Sequence, residues 1–496
     1  MVSRLELLFL ALCIILGSFL RLYHLEQTAM FLGDQGRDAI IVNNILKNGD
    51  IALIGPVTSV GNMYLGPFYY YFMVPWLALT YPNPIGPAIG VAIVGIITIP
   101  LLYFIIRRLF SQVPAMFAAG LFSVSAIAVD QVRFSWNPNL APTVGLLIFY
   151  YLYKLVVRKK SNSIVWLAVW FAVVIQLHYL ALLLGGCIVL AVISAFVRQP
   201  KSRRSIIGYS LTGILLFALS LAPLIIFDRR HDHLILNGFV NFFNSPEDHL
   251  LPIQKIGTSL IHVTGSFYKI LPGMVGSTQQ STHQALSLLI IGVGLWVYKL
   301  SSKAVKSGLR MYLLWFGVAI LAMSFYSSSI FIHYLSFSQA VSISFFGVLL
   351  GLAYLSGRPQ IKWLTVAVIA IFIMYNIRFS PAFIPGQKHL QTAKNVADTI
   401  YQRVKPNEKY NIVLISGTGD IDAQNYRYFL ETTDRPPVPT DRRGEVETLF
   451  IIQEDYFDTK VVDSPIYEIV VFPDKTPKEV YKVDQSPIIT ILKKSV

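Results

Sequence analysis

The sequence predicts a polytopic all-α membrane protein with about eleven transmembrane helices, followed by a small extracytoplasmic α/β domain at the carboxy terminus. Of its 496 residues, 54% are hydrophobic and only 14% are charged, and the mean hydropathy is +0.57. Apolar runs recur through residues 1–380, and the composition becomes polar from residue 388 onward. Soluble domains carry more charge than this, so the composition indicates a membrane protein.

Eleven apolar runs approach the roughly 20 residues that a helix needs to cross a bilayer. The first run lacks a small-residue cleavage site, so we expect a retained membrane anchor rather than a signal peptide. The runs are 5–23, 85–106, 114–129, 140–157, 164–179, 180–197, 206–227, 285–298, 311–325, 334–355 and 363–377.

The distribution of charge orients these predicted spans. With the amino terminus in the cytoplasm, the inside segments hold 17 basic residues and one acidic residue, a net charge of +16. The outside loops before residue 388 sum to zero, and the chain from Lys388 onward carries −2, so the total is the observed +14. This is the positive-inside pattern of membrane proteins. We therefore expect an extracytoplasmic C-terminal domain and no nucleic-acid partner.

The first outside loop, 22–84, is predicted to contain two helices. Residues 38–48 have helical periodicity and end at a glycine, and 66–80 form a short aromatic segment typical of a helix at the membrane interface. If 66–80 spanned the bilayer instead, every later loop would invert and Arg107 and Arg108 would lie outside. The charge distribution argues against that topology.

The C-terminal domain, 388–496, has about a hundred residues and can hold a core of its own. The Gly417-Thr418-Gly419 segment favours a turn over a phosphate-binding loop, because no nucleotide fingerprint surrounds it. Periodicity predicts helices at 390–403 and 422–430 and strands at 410–416, 448–452, 467–472, 480–483 and 488–492.

The first outside loop also carries the strongest candidate for chemistry, formed by Asp34, Arg37 and Asp38. Two carboxylates and a guanidinium at a helix start can simply be a helix cap with solvated charges. Their position beside the bilayer favours a functional interpretation, because ionisable groups there are commonly functional.

The second outside loop is short and offers Asp130, Arg133, Asn137 and Asn139, which could line the same outward cavity. The alternative is an interfacial turn in which Trp136 belongs to the aromatic belt.

Two further pairs, His178 with Tyr179 and His333 with Tyr334, lie at predicted outer helix ends. We consider them as substrate-binding candidates, although interfacial packing is the more common role. Both cysteines fall in predicted helices, and no His and Cys spacing resembles a metal site, so we expect no metal and no disulfide.

The second long outside loop, 228–283, begins with a basic cluster that includes Arg229 and Arg230. A loop of this length is usually functional or disordered. Arginines at the membrane surface fit an anionic headgroup or a lipid-linked phosphate, for which the guanidinium offers two-pronged hydrogen bonding. A solvated loop face is the alternative.

With these residues in place, the pattern resembles the GT-C fold glycosyltransferases, in particular the protein O-mannosyltransferase and aminoarabinose transferase branch (family 39). The similarity covers the first helix, the acidic first loop, Gly66-Pro67-Phe68-Tyr69-Tyr70 and Arg107-Arg108-Leu109-Phe110. It extends weakly to the loop around Arg133.

The resemblance implies transfer of a hexosyl or pentosyl group from a polyprenyl-phosphate carrier to a hydroxyl acceptor on the outer face, where the acceptor is a glycan, a lipid or a protein. Asp34 matches the first-loop aspartate of that family and would be the general base. In the second loop the family often has an acidic residue after the arginine, but Asn137 and Asn139 stand there and Asp130 lies before Arg133. The donor already carries a phosphate leaving group, so no cofactor is expected to be obligatory, and a single displacement would invert the anomeric centre.

Two other functions remain open from the sequence. A transporter of a lipid or small solute would show internal repeats and charges near the middle of the membrane, whereas these charges lie at predicted outer helix ends. A receptor or scaffold would use the C-terminal domain to bind a partner. The acidic first loop favours the enzyme.

Overall fold

The computed structural model describes residues 3–58, 63–244, 280–323, 332–442, 446–454, 461–483 and 487–494. The described part of the predicted membrane region contains seventeen α-helices. They are α1 Arg4–Leu22, α2 Leu25–Thr28, α3 Gly33–Asn48, α4 Phe68–Thr80, α5 Gly86–Leu109, α6 Gln112–Val124, α7 Ala126–Asp130, α8 Ala141–Val156, α9 Ser163–Leu177, α10 Leu183–Arg198, α11 Arg203–Ser220, α12 Ala222–Arg230, α13 Leu234–Asn244, α14 Gln280–Leu300, α15 Lys303–Met323, α16 Gln339–Tyr354 and α17 Pro359–Arg378.

The all-α membrane class is confirmed, and every predicted apolar run coincides largely with helix. Within the described residues, six helical segments are long and apolar enough to cross a membrane, or seven if the pair α11 and α12, bent by 53°, is one span. The predicted number of eleven also includes α6, α9, α14 and α15, and these four remain predictions. The six are Arg4–Leu22, Gly86–Leu109, Asn137–Val156, Tyr179–Arg198, His333–Tyr354 and Pro359–Phe383.

The run 114–129 was expected to be one helix and is two. Ser125 leaves the helical conformation (φ −56°, ψ 116°), and its hydroxyl accepts a hydrogen bond from the Ala128 amide, which starts α7. Asn376 of α17 accepts a further bond from the Ala126 amide at 2.8 Å. Side-chain oxygens thus replace the backbone partners that a continuous helix would have used.

The centre of the bundle is held by close helix packing. A Cβ atom at Gly347 or Gly351 of α16 would come within 2.5 Å of the backbone of Ala118 or Pro114 on α6. Small residues let membrane helices approach this closely, and the approach increases their dispersion contacts.

In the first loop, α3 begins at Gly33, five residues earlier than the periodicity predicted, so Asp34 lies in its first turn. The helix ends at Gly49, whose φ of 72° is a left-handed conformation that glycine adopts freely. In the segment before α4, the amide of Gly55 donates to the Leu65 carbonyl at 2.7 Å, and the amide of Leu65 donates to the Pro56 carbonyl at 3.0 Å. We call residues 51–58 and 63–66 the first-loop hairpin.

The predicted second long outside loop, 228–283, contains helix α13 in its described part. Asp228 caps this helix, because its Oδ1 accepts from the amides of Ile235 and Leu236 at 2.7 and 3.3 Å. A carboxylate at a helix amino terminus satisfies otherwise unpaired N–H groups.

The C-terminal domain forms a four-stranded sheet in the order β1-β2-β4-β3. β1 and β2 are parallel, and β4 pairs antiparallel with both β2 and β3. Its elements are α18 His389–Tyr401, β1 Tyr410–Ile415, α19 Gln424–Glu431, β2 Thr448–Gln453, α20 Tyr467–Val471, β3 Glu479–Lys482 and β4 Ile488–Lys493.

One predicted strand was wrong, because 467–472 contains helix α20. Its β-branched residues suggested a strand, but Ile469 and Phe472, three residues apart, are the apolar side chains buried in the core, and Val470 and Val471 are exposed. That spacing is helical, and tertiary packing here overrides strand propensity.

The C-terminal domain packs directly on the first loop. Phe31 meets the rings of Tyr428 and Phe429 edge-on, with centroids 6.0 and 5.8 Å away, and the Tyr428 hydroxyl donates to the Pro82 carbonyl at 2.9 Å. A Cβ atom at Gly36 would overlap the backbone of Gln424 and Asn425. Helix α19 therefore lies in close contact with α3, the helix that carries Asp34.

Candidate functional site

Helix α3 brings Asp34, Arg37 and Asp38 together, as the sequence predicted. Arg37 Nη1 donates to Asp34 Oδ1 at 2.9 Å, and its Nε and Nη2 donate to Asp38 Oδ1 at 3.0 and 2.8 Å. The hydroxyl of Tyr70 on α4 donates to the same Asp38 oxygen at 3.3 Å. The four side chains form one connected polar cluster, which we call the α3 cluster.

The two carboxylates of the cluster lie in different environments. The Asp34 side chain is 52% exposed, whereas that of Asp38 is 1% exposed. Burial raises the pKa of Asp38 to about 6, although the Arg37 guanidinium opposes that rise. Asp34 is thus the carboxylate that a substrate could reach.

A cleft of about 540 Å³ opens beside this cluster. Its lining is almost entirely apolar, with the Arg37 side chain as the charged group. An apolar wall with one cation fits an amphipathic ligand that has an anionic head and a hydrocarbon tail. The lining residues are Arg37, Ile41, Ile51, Ala52, Leu53, Ile54, Gly55, Val57, Tyr64, Tyr70 and Phe227.

Tyr179 supports one wall of this cleft. Its hydroxyl donates to the Tyr64 carbonyl in the first-loop hairpin, and its ring packs on Phe239 of α13. The Tyr64 ring lies edge-on to Phe227 of α12, with centroids 5.8 Å apart. Tyr179 therefore joins the hairpin to α13 and lies behind the cleft wall.

Arg229 and Arg230 lie in the last turn of α12, just beyond Phe227 of the cleft, and both are exposed. No ion pair or side-chain hydrogen bond involves either of them within the part of the chain that the structure describes. Their place beside the cleft is compatible with the predicted role in binding an anion.

The candidate residues of the second outside loop do not line this cleft. Arg133 is 2% exposed, and its guanidinium donates to the Leu20 and Tyr23 carbonyls, both at 2.8 Å, and to the Thr28 hydroxyl. Asn137 donates to the Leu177 carbonyl at 2.6 Å and Asn139 to the Phe134 carbonyl at 3.0 Å. These side chains hold backbone segments together, and Asp130 is exposed at the end of α7.

Replacing Arg133 with Gln should therefore lower the stability of the protein. It removes charge-assisted bonds to buried carbonyls, and the expected loss is about 3 kcal/mol or more. Thermal melting of the purified full-length chain, without added lipid, measures it. Arg229→Gln, at an exposed site, is the control and should melt as the wild type does. An unchanged melting temperature together with weaker binding of undecaprenyl phosphate would support the predicted role of Arg133 as a substrate-binding residue.

The pairs predicted at 178–179 and 333–334 are brought together by the fold. The rings of His178 and His333 have centroids 5.9 Å apart, and Trp136 lies 4.8 Å from His333. Tyr334 packs 5.4 Å from His178, whose Nδ1 accepts the Leu180 amide. These contacts are those of packed rings. Among the described residues, no three His, Cys, Asp or Glu side chains are placed to hold a metal ion.

Asp420 is a neighbour of the α3 cluster that the sequence did not indicate. A Cβ atom at Gly33 would come within 2.6 Å of its Oδ2, and that oxygen accepts the Gln424 amide at 2.9 Å. Burial raises the pKa of Asp420 to about 6, and the nearby charges of Asp422, Glu454 and Asp34 raise it further. The signal in the sequence that could have indicated this contact is the pair of glycines at positions 33 and 36, which lie on one face of α3 and let another segment pack closely against it.

This raised pKa predicts that docking of the C-terminal domain strengthens in mild acid. A carboxyl whose pKa rises on docking stabilises the docked state below its ordinary pKa of 3.8, and this contribution is lost as the pH rises through about 6. Between pH 7.5 and 5.5 the gain is at most about 1 kcal/mol, the value that applies when the whole pKa shift arises on docking. Limited proteolysis of the linker at 379–388 should therefore slow at pH 5.5, after correction for the activity of the protease. Asp420→Asn should lose this difference, and a difference that survives the substitution would assign it to another group.

Part of the sequence matches a known family, and the fold as a whole matches solved structures. The sequence model of the dolichyl-phosphate-mannose-protein mannosyltransferase family matches residues 66–227, and no curated protein matches. The crystal structure of ArnT from Cupriavidus metallidurans bound to undecaprenyl phosphate is similar, with a TM-score of 0.61 at 13% identity over 98% of this chain and 97% of that one. Its apo form has a TM-score of 0.60 at 14% identity over the same shares.

The apo oligosaccharyltransferase of Archaeoglobus fulgidus is also similar, with a TM-score of 0.52 at 12% identity over 88% of this chain and 65% of that one. At such identities the similarity establishes the fold. The family match begins after α3, so Asp34 lies outside it. The resemblance drawn from the sequence is thus confirmed, and the chain has the GT-C fold.

Proposed function

We propose that this protein is a membrane glycosyltransferase that moves a sugar from a polyprenyl-phosphate carrier to a hydroxyl group of a glycan, lipid or protein. The observation that carries the proposal is the apolar cleft that Arg37 lines, together with the accessible carboxylate of Asp34, to which Arg37 is bonded. The fold shared with ArnT, which was crystallised with undecaprenyl phosphate, supports a lipid-phosphate donor.

In the proposed reaction, Asp34 accepts the proton of the acceptor hydroxyl as its oxygen attacks the anomeric carbon of the donor. The new bond forms from this oxygen to the sugar, the bond from the sugar to the phosphate oxygen breaks, and polyprenyl phosphate leaves. Arg37, with Arg229 and Arg230 beyond Phe227, stabilises the negative charge on the departing phosphate. Attack opposite the leaving group inverts the anomeric centre.

The direct test uses the full-length protein in lipid nanodiscs with tritiated undecaprenyl-phosphate sugars, including mannose, glucose, arabinose and aminoarabinose. Each donor is offered to separate pools of envelope glycans, lipids and proteins. We expect label from one donor to enter one pool, with one undecaprenyl phosphate released for each sugar transferred. Absence of transfer from every donor to every pool would overturn the proposal.

The proposed orientation places the amino terminus in the cytoplasm and the C-terminal domain outside it. It is supported by the basic residues Arg107 and Arg108 at the end of α5. Both native cysteines are buried, so a new cysteine gives the main labelling signal. In intact cells, a membrane-impermeant maleimide should label Thr476→Cys, in the C-terminal domain, and should label Lys159→Cys only after lysis. The reverse pattern would invert the topology.

A further inference from the structure

We propose that Asp38 and Tyr70 are positioning residues, which hold the Arg37 guanidinium in the orientation that binds the donor phosphate. The inference rests on the proposed function, because it takes Arg37 as a ligand of that phosphate. It adds a role for a buried carboxylate and a tyrosine that the proposed reaction does not use directly.

The geometry of the α3 cluster divides the Arg37 guanidinium into two sides. Nε and Nη2 both donate to a single oxygen of Asp38, which is itself 1% exposed. Two bonds to one buried atom fix the plane of the guanidinium, because rotation of the group would break both. Tyr70, which lines the cleft, donates to the same oxygen and restrains the carboxylate.

On the other side of the guanidinium, Nη1 has a partner that a phosphate could replace. Nη1 donates to Asp34, whose side chain is 52% exposed. Exposed ion pairs contribute little to stability, commonly less than about 1 kcal/mol. A phosphate entering the cleft can therefore take the Nη1 bond while Arg37 keeps both of its bonds to Asp38. This exchange also frees Asp34 Oδ1 for the acceptor hydroxyl.

A purely structural role for the cluster makes a different prediction. If Asp38 and Tyr70 only joined α3 to α4, their substitution would lower stability and would change lipid-phosphate affinity regardless of what stands at position 37. If they act through Arg37, their effect on phosphate binding disappears when Arg37 is absent. A double-mutant cycle separates these two cases.

The experiment measures the Kd of undecaprenyl phosphate for the full-length protein in nanodiscs, together with the melting temperature. The variants are Arg37→Gln, Asp38→Asn, Tyr70→Phe and Tyr70→Phe combined with Arg37→Gln. We expect Arg37→Gln to weaken binding more than tenfold, and Asp38→Asn and Tyr70→Phe to weaken it about 3- to 10-fold, the size of one ordinary intramolecular hydrogen bond. In the double variant, Tyr70→Phe should add no further loss.

Tyr69→Phe is the matched control. Tyr69 is equally buried on α4, but its hydroxyl bonds to Ser135 at 2.7 Å rather than to Asp38. It should change the Kd by less than twofold. If Arg37→Gln weakens binding and neither Asp38→Asn nor Tyr70→Phe does, or if the effects of Tyr70 and Arg37 add, the positioning role is wrong while the donor site stands. If Arg37→Gln itself has no effect, the proposed donor role of Arg37 fails.

Discussion

Asp34→Asn should reduce sugar transfer by about a hundredfold to ten-thousandfold, the range contributed by a general base. Asparagine has nearly the same shape, and its carbonyl oxygen can still accept the bond from Arg37 Nη1, so the local structure is retained. It cannot take the proton of the acceptor hydroxyl. Single-turnover transfer from the active donor measures the chemical step, and undecaprenyl phosphate binding measures the donor site separately.

We expect binding of undecaprenyl phosphate to be unchanged or tighter in Asp34→Asn, because a negative charge beside Arg37 is removed. Asp50→Asn is the matched control, since Asp50 is an exposed carboxylate just beyond the same helix. Transfer at the wild-type rate by Asp34→Asn would remove Asp34 as the base. If Asp420→Asn then lost transfer instead, the neighbouring carboxylate would take its place.

The sequence predicted those parts of the site that are close together along the chain. Asp34, Arg37 and Asp38 fall within five residues on one helix, so helical geometry alone places them side by side. Their relation to Tyr70 depends on the packing of α3 against α4. The contact between Gly33 and Asp420 joins residues almost 400 positions apart, which no local pattern records.

The bonding partners of Arg133 could not be predicted from the sequence. The sequence places Arg133 in a short outside loop whose polar groups could line the same outward cavity as Asp34, which made it a substrate-binding candidate. In the structure its guanidinium donates to backbone carbonyls at the end of α1. Which carbonyls lie unpaired near a loop depends on where the helices end in space, and periodicity locates such ends only within a few residues.

The predicted helices and strands of the C-terminal domain were mostly confirmed, since short continuous apolar runs mark the buried strands and helical spacing marks the buried faces of the helices. Two short or interrupted segments differ from their predictions, one in this domain and one in the membrane region. Helix α20 has only five residues, too few for its period to be read, and the break at Ser125 depends on a bond that its own side chain makes. When a side-chain oxygen competes with the backbone for an amide, it can set the end of a helix without changing the hydrophobic pattern.

Gly36→Ala should separate the C-terminal domain from α3 and thereby lower transfer more than tenfold. Alanine in a helix is favoured over glycine by about 1 kcal/mol, so the substitution would stabilise α3 if space were available. The new methyl group would overlap the backbone of Gln424 and Asn425, which cannot retreat unless α19 moves. Forcing a group into such a contact costs typically 1–3 kcal/mol or more, so the clash outweighs the gain in helix propensity.

Limited proteolysis of the linker at 379–388 reports the undocking, and single-turnover transfer reports its effect on Asp34. Gly208→Ala is the matched control, because Gly208 lies within α11 and an added Cβ would meet nothing within 4 Å. We expect it to leave transfer unchanged and the melting temperature equal or slightly raised. If Gly36→Ala behaved as Gly208→Ala does, α19 would not constrain the helix that carries Asp34. If the linker became exposed while transfer persisted, the contact with the C-terminal domain would be dispensable for the reaction.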